Sequence, residues 1–331
     1  MSFQNCKIMG CQVNPEKYHQ PNAALRGEPG FVVSPSMLKV FGECASRWRD
    51  GYVSPESEAK DYGSLLDCMA LTPDLFDSRY AVRPDTYPDT KTGEPKPWNG
   101  NSNWCRAWLE KVESEGRKPL KQTDLAEVQA AVKRLRKDEI LSAFSECSEK
   151  QVHVTGEWAD EDTGLVIPCQ CLIDYAPRKD SEFAACLGDL KTTRSALPFA
   201  WRRWSSQRGY HIQGAFDIDI FNSATGESRA TWCFVVQENF APWQTARYML
   251  AEEKLNFGRV MYESLLRRYA RCLQTGEWPD YNDNAAPFLT VQGWTIDEAD
   301  RWDEAAAMNT IPEIVDPPEP PSDERQEDDL P

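Results

Sequence analysis

The sequence has no apolar run approaching the roughly 20 residues that cross a bilayer. That removes membrane-spanning classes from its expected functions. The first 20 residues, MSFQNCKIMGCQVNPEKYHQ, lack a basic segment followed by an apolar stretch. No secretory leader is therefore expected, and the expected compartment is the cytoplasm. Internal repeats are absent as well. The 11 cysteines are odd in number and scattered without a framework spacing, which fits reduced thiols better than disulfides. Cys169 and Cys171 have one residue between them, where zinc knuckles use two to four, so they read as alternate strand positions. No cysteine cluster supplies the four ligands of an iron–sulfur centre. Positive charge is scarce: 37 Lys and Arg stand against 53 Asp and Glu, a net charge of −16. Taken alone, this argues against a protein that coats nucleic acid through a broadly basic surface. Part of the deficit is local. Residues 312–331 hold eight acids and one arginine, a net −7 that leaves −9 for the other 311 residues. Any DNA binding must then use a local basic groove or bound cations.

What is present is a sizeable core, with 40% hydrophobic residues in 331. Residues 1–33 are polar and punctuated by Pro and Gly, and are expected to be irregular. Residues 34–150 read as mainly helical. The spacing predicts helices over 34–51, within 58–82 with a break at Pro73 and a short extended piece at the end, over 102–116 and over 123–144, with a long loop at 83–103. Residues 151–280 have a mixed texture. Alternation predicts strands over 150–160, 165–177 and 182–193, an antiparallel meander. A long helical stretch follows (195–223), then a strand (227–239), then a helix (243–279) stopping at Gly276. The fold class is mixed α/β. A helical extension is expected at 281–311, and the acidic, Pro-rich residues 312–331 are expected to be disordered.

The chemistry concentrates in GDLKTT, residues 188–193. In a strand, residues i and i+2 share a face, so Asp189 and Lys191 are neighbours. Asp174 ends the preceding strand, and a turn at 177–182 could fold it alongside Asp189. Two carboxylates on one face repel unless a cation lies between them. Oxygen ligands of this kind suit Mg²⁺, with Mn²⁺ as a substitute. A nearby lysine can orient a water and offset phosphate charge. Such a set is suited to metal-assisted phosphodiester hydrolysis. The competing reading is a surface ion pair, worth little. Downstream, Arg194, Arg202, Arg203 and Arg208 accompany Trp201 and Trp204, a basic and aromatic patch on an acidic chain. Arginines bind phosphate and rings stack on frayed bases. The tryptophans could equally face a core. Thr192 and Thr193 could donate to phosphate. Glu157 could hold the metal or a water, or lie on the solvent side of its strand.

Asp174…Asp189-X-Lys191 resembles the PD-(D/E)XK nuclease superfamily. The context resembles the RecE (exonuclease VIII) family of phage-type exonucleases. The matching stretches are WADEDTGLVIPCQCLIDYAP, GDLKTT and YHIQ, with YGSLLDCMALTPDLFDSRY upstream and LQTGEWP downstream. The resemblance runs in order over about residues 34–280. It implies a Mg²⁺-dependent exodeoxyribonuclease that digests linear duplex DNA from the 5′ end. The exposed 3′ strand would serve a single-strand annealing protein, and the enzyme would be a ring-like homo-oligomer in a phage or prophage host. It also implies that Asp67, Asp174, Asp189 and the Leu190 carbonyl hold metal, that Lys191 positions a water, and that Gln213 steers the strand beside Tyr210 and His211. Two positions depart from the family pattern. Asp67 stands where Gly-x-x-x-His has histidine, and Asp217 where Gln-x-x-x-Tyr has tyrosine. A single-strand or CRISPR-adaptation-type nuclease, or an inactive descendant that binds DNA or a partner, are the alternatives.

Overall fold

The computed structural model describes residues 3–281 apart from 19–23, 54, 56, 90 and 91. The expected helical extension and acidic tail lie outside the described residues. In chain order the elements begin with β1 (Phe3–Gly10), α1 (Pro15–Tyr18), α2 (Pro35–Glu43), α3 (Ala45–Arg49) and α4 (Glu58–Leu71). A 3₁₀ turn (Pro73–Leu75) leads into α5 (Phe76–Arg79), β2 (Tyr80–Val82), β3 (Thr86–Pro88) and β4 (Pro95–Pro97). Then come α6 (Asn103–Ser114), β5 (Lys118–Leu120), α7 (Gln122–Leu135) and α8 (Glu139–Glu146). The core of the chain is β6 (Ser148–Ala159), β7 (Val166–Pro177), β8 (Cys186–Thr193), α9 (Pro198–Gln207), α10 (Tyr210–Thr225), β9 (Thr231–Glu238), β10 (Thr245–Met249) and α11 (Glu252–Thr275).

The main sheet has the order β1-β6-β7-β8-β9-β10. All neighbours are antiparallel except β8 and β9, which run parallel, with α9 and α10 making the crossover. Its two faces bury two cores. Val152, Val154, Ile173, Leu187, Trp232 and Phe234 pack with residues of α2, α10 and α11. Tyr175, Cys186, Leu190, Cys233 and Val235 pack with residues of α4, α7 and α8. The fold class expected from the sequence is thus the one observed, a mixed sheet between helices. All 11 cysteines are free thiols, and Cys169, Cys171 and Cys186 are buried strand residues.

Several boundaries differ from expectation. Residues 3–10 form a strand, not an irregular segment. Most of its side chains are exposed, and it is held by backbone pairing to β6, so no apolar alternation marks it. The expected 195–223 helix is two helices, because Gly209 adopts the left-handed conformation, φ 59°, that glycine accepts readily. The expected 123–144 helix splits at Asp138, which caps α8 through the Ile140 and Leu141 amides. The 83–103 loop contains the β3–β4 hairpin. The start of the expected 243–279 helix is instead β10, paired residue by residue with β9. Its Ala, Arg and Met tolerate either state, and the long-range ladder decides.

Two glycines set helix distances. A Cβ on Gly63 of α4 would stand 3.3 Å from Thr192 Oγ1, so the glycine lets α4 approach the end of β8. A Cβ on Gly258 of α11 would stand 2.3 Å from the His211 carbonyl oxygen and 2.8 Å from its carbon. Backbone cannot yield as a side chain can, so Gly258→Ala forces α10 and α11 apart. The expected cost is about 3 kcal/mol, read as a drop of several degrees in thermal melting. An unchanged melting temperature would contradict this packing.

Candidate active site

The site forms where two strands part. β6 and β7 pair continuously from Ala159↔Val166 to Ser148↔Pro177, except at Gln151 and Asp174. β7 and β8 share the single pair Tyr175↔Gly188. Beyond Gly188 the edge of β8 facing β7 has no strand partner among the described residues. Asp174 fills part of that gap: its Oδ2 accepts from the Leu190 amide at 2.8 Å. A local turnover of β7 makes this possible. Ile173 and Tyr175 are two residues apart, yet they face opposite cores. Regular pleating would put them on one face. Opposite the irregularity, Gln151 has φ 48°, a left-handed backbone that costs a non-glycine residue stability. Its Nε2 donates to Asp174 Oδ1 at 2.7 Å. Both oxygens of Asp174 are therefore held, one from each neighbouring strand. Because an extended residue presents N–H and C=O on the same edge, the Leu190 carbonyl also faces the gap.

Asp189 and Lys191 share the α10 face of β8, as the i, i+2 spacing predicts. Asp189 Oδ2 pairs with Lys191 Nζ, and the two side chains are 4% and 20% exposed. That burial rules out the surface ion pair. Gln213 of α10 donates Nε2 to Asp189 Oδ1 at 2.9 Å. The Lys191 ammonium lies 5.1 Å from the centre of the Tyr210 ring. From the other core, α4 presents Asp67 one helical turn after Gly63, on the same helix face.

The electrostatics bind these groups together. Burial raises the Asp67 carboxyl to about 7, Asp189 adds to the rise, and Lys191 and Arg79 oppose it. Burial raises Asp174 well above the carboxylate range, reinforced by Asp189 and Asp67. Burial also raises Asp217, with Asp189 the next cause. Burial pulls Lys191 down, but Asp189, Tyr210 and Asp174 more than offset it, so its proton is held more tightly than usual. Lys191 is thus a cation common to Asp67, Asp174 and Asp217, with Arg79 acting on Asp67 as well.

One pH dependence follows. A carboxyl raised on folding binds its proton more tightly in the native state than unfolded. Between its unfolded value near 4 and about 7, Asp67 therefore makes stability fall as pH rises, by up to about 1.4 kcal/mol per pH unit. Denaturation midpoints in chelator should decline from pH 4 to 7, and Asp67→Asn should flatten that decline. A wild-type profile rising over this range would contradict the assignment.

The other expected residues divide. Arg194, Arg202, Arg203 and Arg208 are exposed on and around α9. Trp201 is buried, so its packing reading holds, whereas Trp204 is 38% exposed with the Arg208 guanidinium 4.3 Å from its ring centre. Thr192 is partly buried against Gly63. Thr193 is buried, and its hydroxyl donates to the Ser195 carbonyl, so it serves the turn after β8. His211 stacks on Phe257 with ring centres 5.2 Å apart, and burial lowers it to about 3, with Lys254 and Lys39 adding to the fall. It is a neutral packing residue. Glu157 accepts from Asn5 Nδ2 at 2.6 Å and pairs in register with Pro168. It lies five ladder positions from Val152, roughly 17 Å along β6, and is no part of the site.

Sequence reasoning missed two site residues. Gln151 is one; its signal was a buried polar residue opposite Asp174. The other is Lys39 of α2, whose ammonium lies 5.2 Å from the Tyr210 ring centre. Burial lowers it to about 8, with Lys191 the next cause. No spacing in the sequence connects it to residue 191.

Residues 34–288 match the family described as a PDDEXK-like domain of unknown function (DUF3799). The chain belongs to that family, and its site has the Asp…Asp-X-Lys arrangement of the PD-(D/E)XK class. Among solved structures, a crystal structure from Eubacterium rectale of a protein provisionally named an exonuclease has a similar fold. The TM-score is 0.51 at 17% identity, covering 82% of this chain and 91% of that one. The crystal structure of SSO0001 is matched over 49% of this chain and 68% of that one at 18% identity, with a TM-score of 0.24, too low to define a shared fold. No curated protein matches the chain by sequence. Among the described residues no helix is long and apolar enough to cross a membrane.

Proposed function

We propose that this protein is a Mg²⁺-dependent exodeoxyribonuclease of RecE type, acting on linear double-stranded DNA from the 5′ end. The observation that carries the reading is the meeting of Asp174, Asp189 and Lys191 at the parting of β7 and β8. Among the described residues no three His, Cys, Asp or Glu side chains are arranged as they stand to hold a metal ion. The donor chemistry nevertheless fits a hard divalent cation. Asp67, Asp174 and Asp189 are hard oxygen donors, and burial and mutual repulsion raise Asp67 and Asp174, a strain that an added cation relieves. These three and the Leu190 carbonyl would hold Mg²⁺, with Mn²⁺ as a substitute. When bound, the ion lowers the pKa of a water and stabilises charge on the phosphate.

The chain's own residues do the rest. Gln151 and the Leu190 amide fix Asp174, and Gln213 fixes Asp189. Lys191, kept charged by its carboxylates, orients a water and offsets charge on the phosphate. The exposed arginines of α9 attract the strand on a chain of net charge −16. A homo-oligomeric ring, a single-strand annealing protein as partner, and a bacterial cytoplasm with a phage or prophage origin complete the reading by resemblance.

The test compares linear and covalently closed circular duplex DNA with Mg²⁺, Mn²⁺ or chelator. Degradation of the linear form alone, abolished by chelator, is expected. Equal cutting of circles would overturn the exonuclease reading. The role of Gln151 has its own test. Gln151→Gly keeps the left-handed backbone and removes the amide. Calorimetry should show Mn²⁺ bound 10- to 100-fold more weakly, the usual scale for outer-shell partners of a ligand. Unchanged affinity would remove Gln151 from the site.

A further inference from the structure

A groove of about 590 Å³ opens beside the candidate active site, between the α9–α10 segment and β10–α11. Its size and its largely apolar lining, with the rings of Phe199, Trp201, Tyr210, Phe234 and Tyr248, are those of a small-ligand site. Trp201 and Tyr248 stack in its wall with ring centres 6.0 Å apart and planes at 18°, and Tyr210 packs 5.8 Å from Trp201. Phe199 stands at its mouth, 70% exposed. Two cationic side chains, Arg202 and Lys254, also line it.

Three observations identify the occupant. First, Tyr210 belongs both to the groove and to the active site, since the Lys191 ammonium lies 5.1 Å from its ring centre. A ligand in the groove therefore adjoins the phosphate that Lys191 would face. Second, the combination of aromatic surface and flanking cations fits a flat base attached to a phosphate, as in single-strand binding sites. Third, Phe199 presents a large ring to water on a helix that also carries exposed arginines. A base inside a duplex offers only its edges to such a ring and a terminal pair only its outer face, whereas an unpaired base can enter the groove and stack on the rings that line it.

We propose that this groove takes an unpaired nucleobase of the strand being cut, next to the phosphate at Lys191. The inference rests on the nuclease reading above and sharpens it: the end must fray before the bond is cut. The free energy of unpairing is offset by stacking on the groove. Duplexes with an unpaired 5′ end should then be better substrates than blunt ones.

The test uses the full-length Lys191→Ala protein with Mg²⁺ and a duplex carrying a 5′ overhang that includes 2-aminopurine. Binding should quench its fluorescence through stacking. Phe199→Ala in the same background should weaken binding about tenfold, within the range for one base–aromatic stack. Phe199 is exposed, so an unchanged melting temperature is expected and confirms folding. Replacing the same nucleotide by an abasic residue should weaken binding similarly and remove the effect of Phe199→Ala. An unquenched probe, or binding indifferent to both changes, would overturn the proposal. Wild-type cleavage is followed in parallel. Cleavage without dependence on the base would sink the groove and leave the nuclease standing. Stacking without cleavage in Mg²⁺ or Mn²⁺ would support the groove and sink the catalytic reading.

Discussion

Lys191→Ala is expected to lower the single-turnover rate of DNA cleavage about 10³-fold while the protein remains folded. The rate effect follows from position. Lys191 is the cation beside Asp189 and within the field of Asp174 and Asp67. A preorganised charge or donor of this kind supplies roughly 10²- to 10⁴-fold in a reaction that builds negative charge. Folding survives because the carboxylates have another way to shed charge. Burial has already raised Asp174 and Asp67, and without the ammonium they take up protons instead. Rapid-quench kinetics with saturating enzyme would measure the rate, and circular dichroism the fold. A loss below tenfold would show that Lys191 is structural.

Asp189→Ala is expected to abolish cleavage and, unlike Lys191→Ala, to destabilise the protein by about 3 kcal/mol. Removing this carboxylate leaves a largely buried ammonium without its direct counter-ion, and breaking a buried pair from one side is costly. It also strands the Gln213 amide. Asp174 and Asp67 still attract Lys191, which keeps the cost at the lower end of the range. Replacing both partners, as in Asp189→Ala with Lys191→Met, should recover most of the lost stability without recovering activity. Urea denaturation of the four proteins completes the cycle. Additive losses would mean that the pair is not coupled.

The central cluster of the candidate site was legible because it is local. Asp189 and Lys191 obey the two-residue period of a strand, and Asp174 lies one hairpin away. The Gly63-x-x-x-Asp67 spacing was legible too, and its glycine has a steric reason in the approach of α4 to Thr192. What escaped depends on distant parts of the chain. The turnover of β7 at Asp174 is a response to Gln151 and to the gap in the sheet; CQCLIDYAP itself reads as a regular strand. Lys39 reaches the site only because α2 packs beside α10. Residues 3–10 are held mainly by backbone pairing to β6, with Phe3 the one side chain of the strand buried in the core, which leaves no apolar alternation to detect. Glu157 is instructive in the opposite sense: it is a plausible carboxylate on the right strand but several residues from the functional end.

The site also gives a common setting to the two departures from the RecE-type pattern that the sequence resembles. Asp67 places a carboxylate where that pattern has histidine, inside the same electrostatic cluster. Asp217 lies one helical turn from Gln213, buried, with both oxygens lacking a hydrogen bond of normal geometry among the described residues. Its charge, like that of Asp67, is held down by burial and by Asp189.

The most direct measurement follows linear duplex DNA labelled at either the 5′ or the 3′ end, incubated with Mg²⁺ and with wild type or Lys191→Ala. The wild type is expected to release the 5′ label as mononucleotides before the 3′ label, and Lys191→Ala to release neither. No release by the wild type with Mg²⁺ or Mn²⁺, or equal release by both proteins, would contradict this expectation.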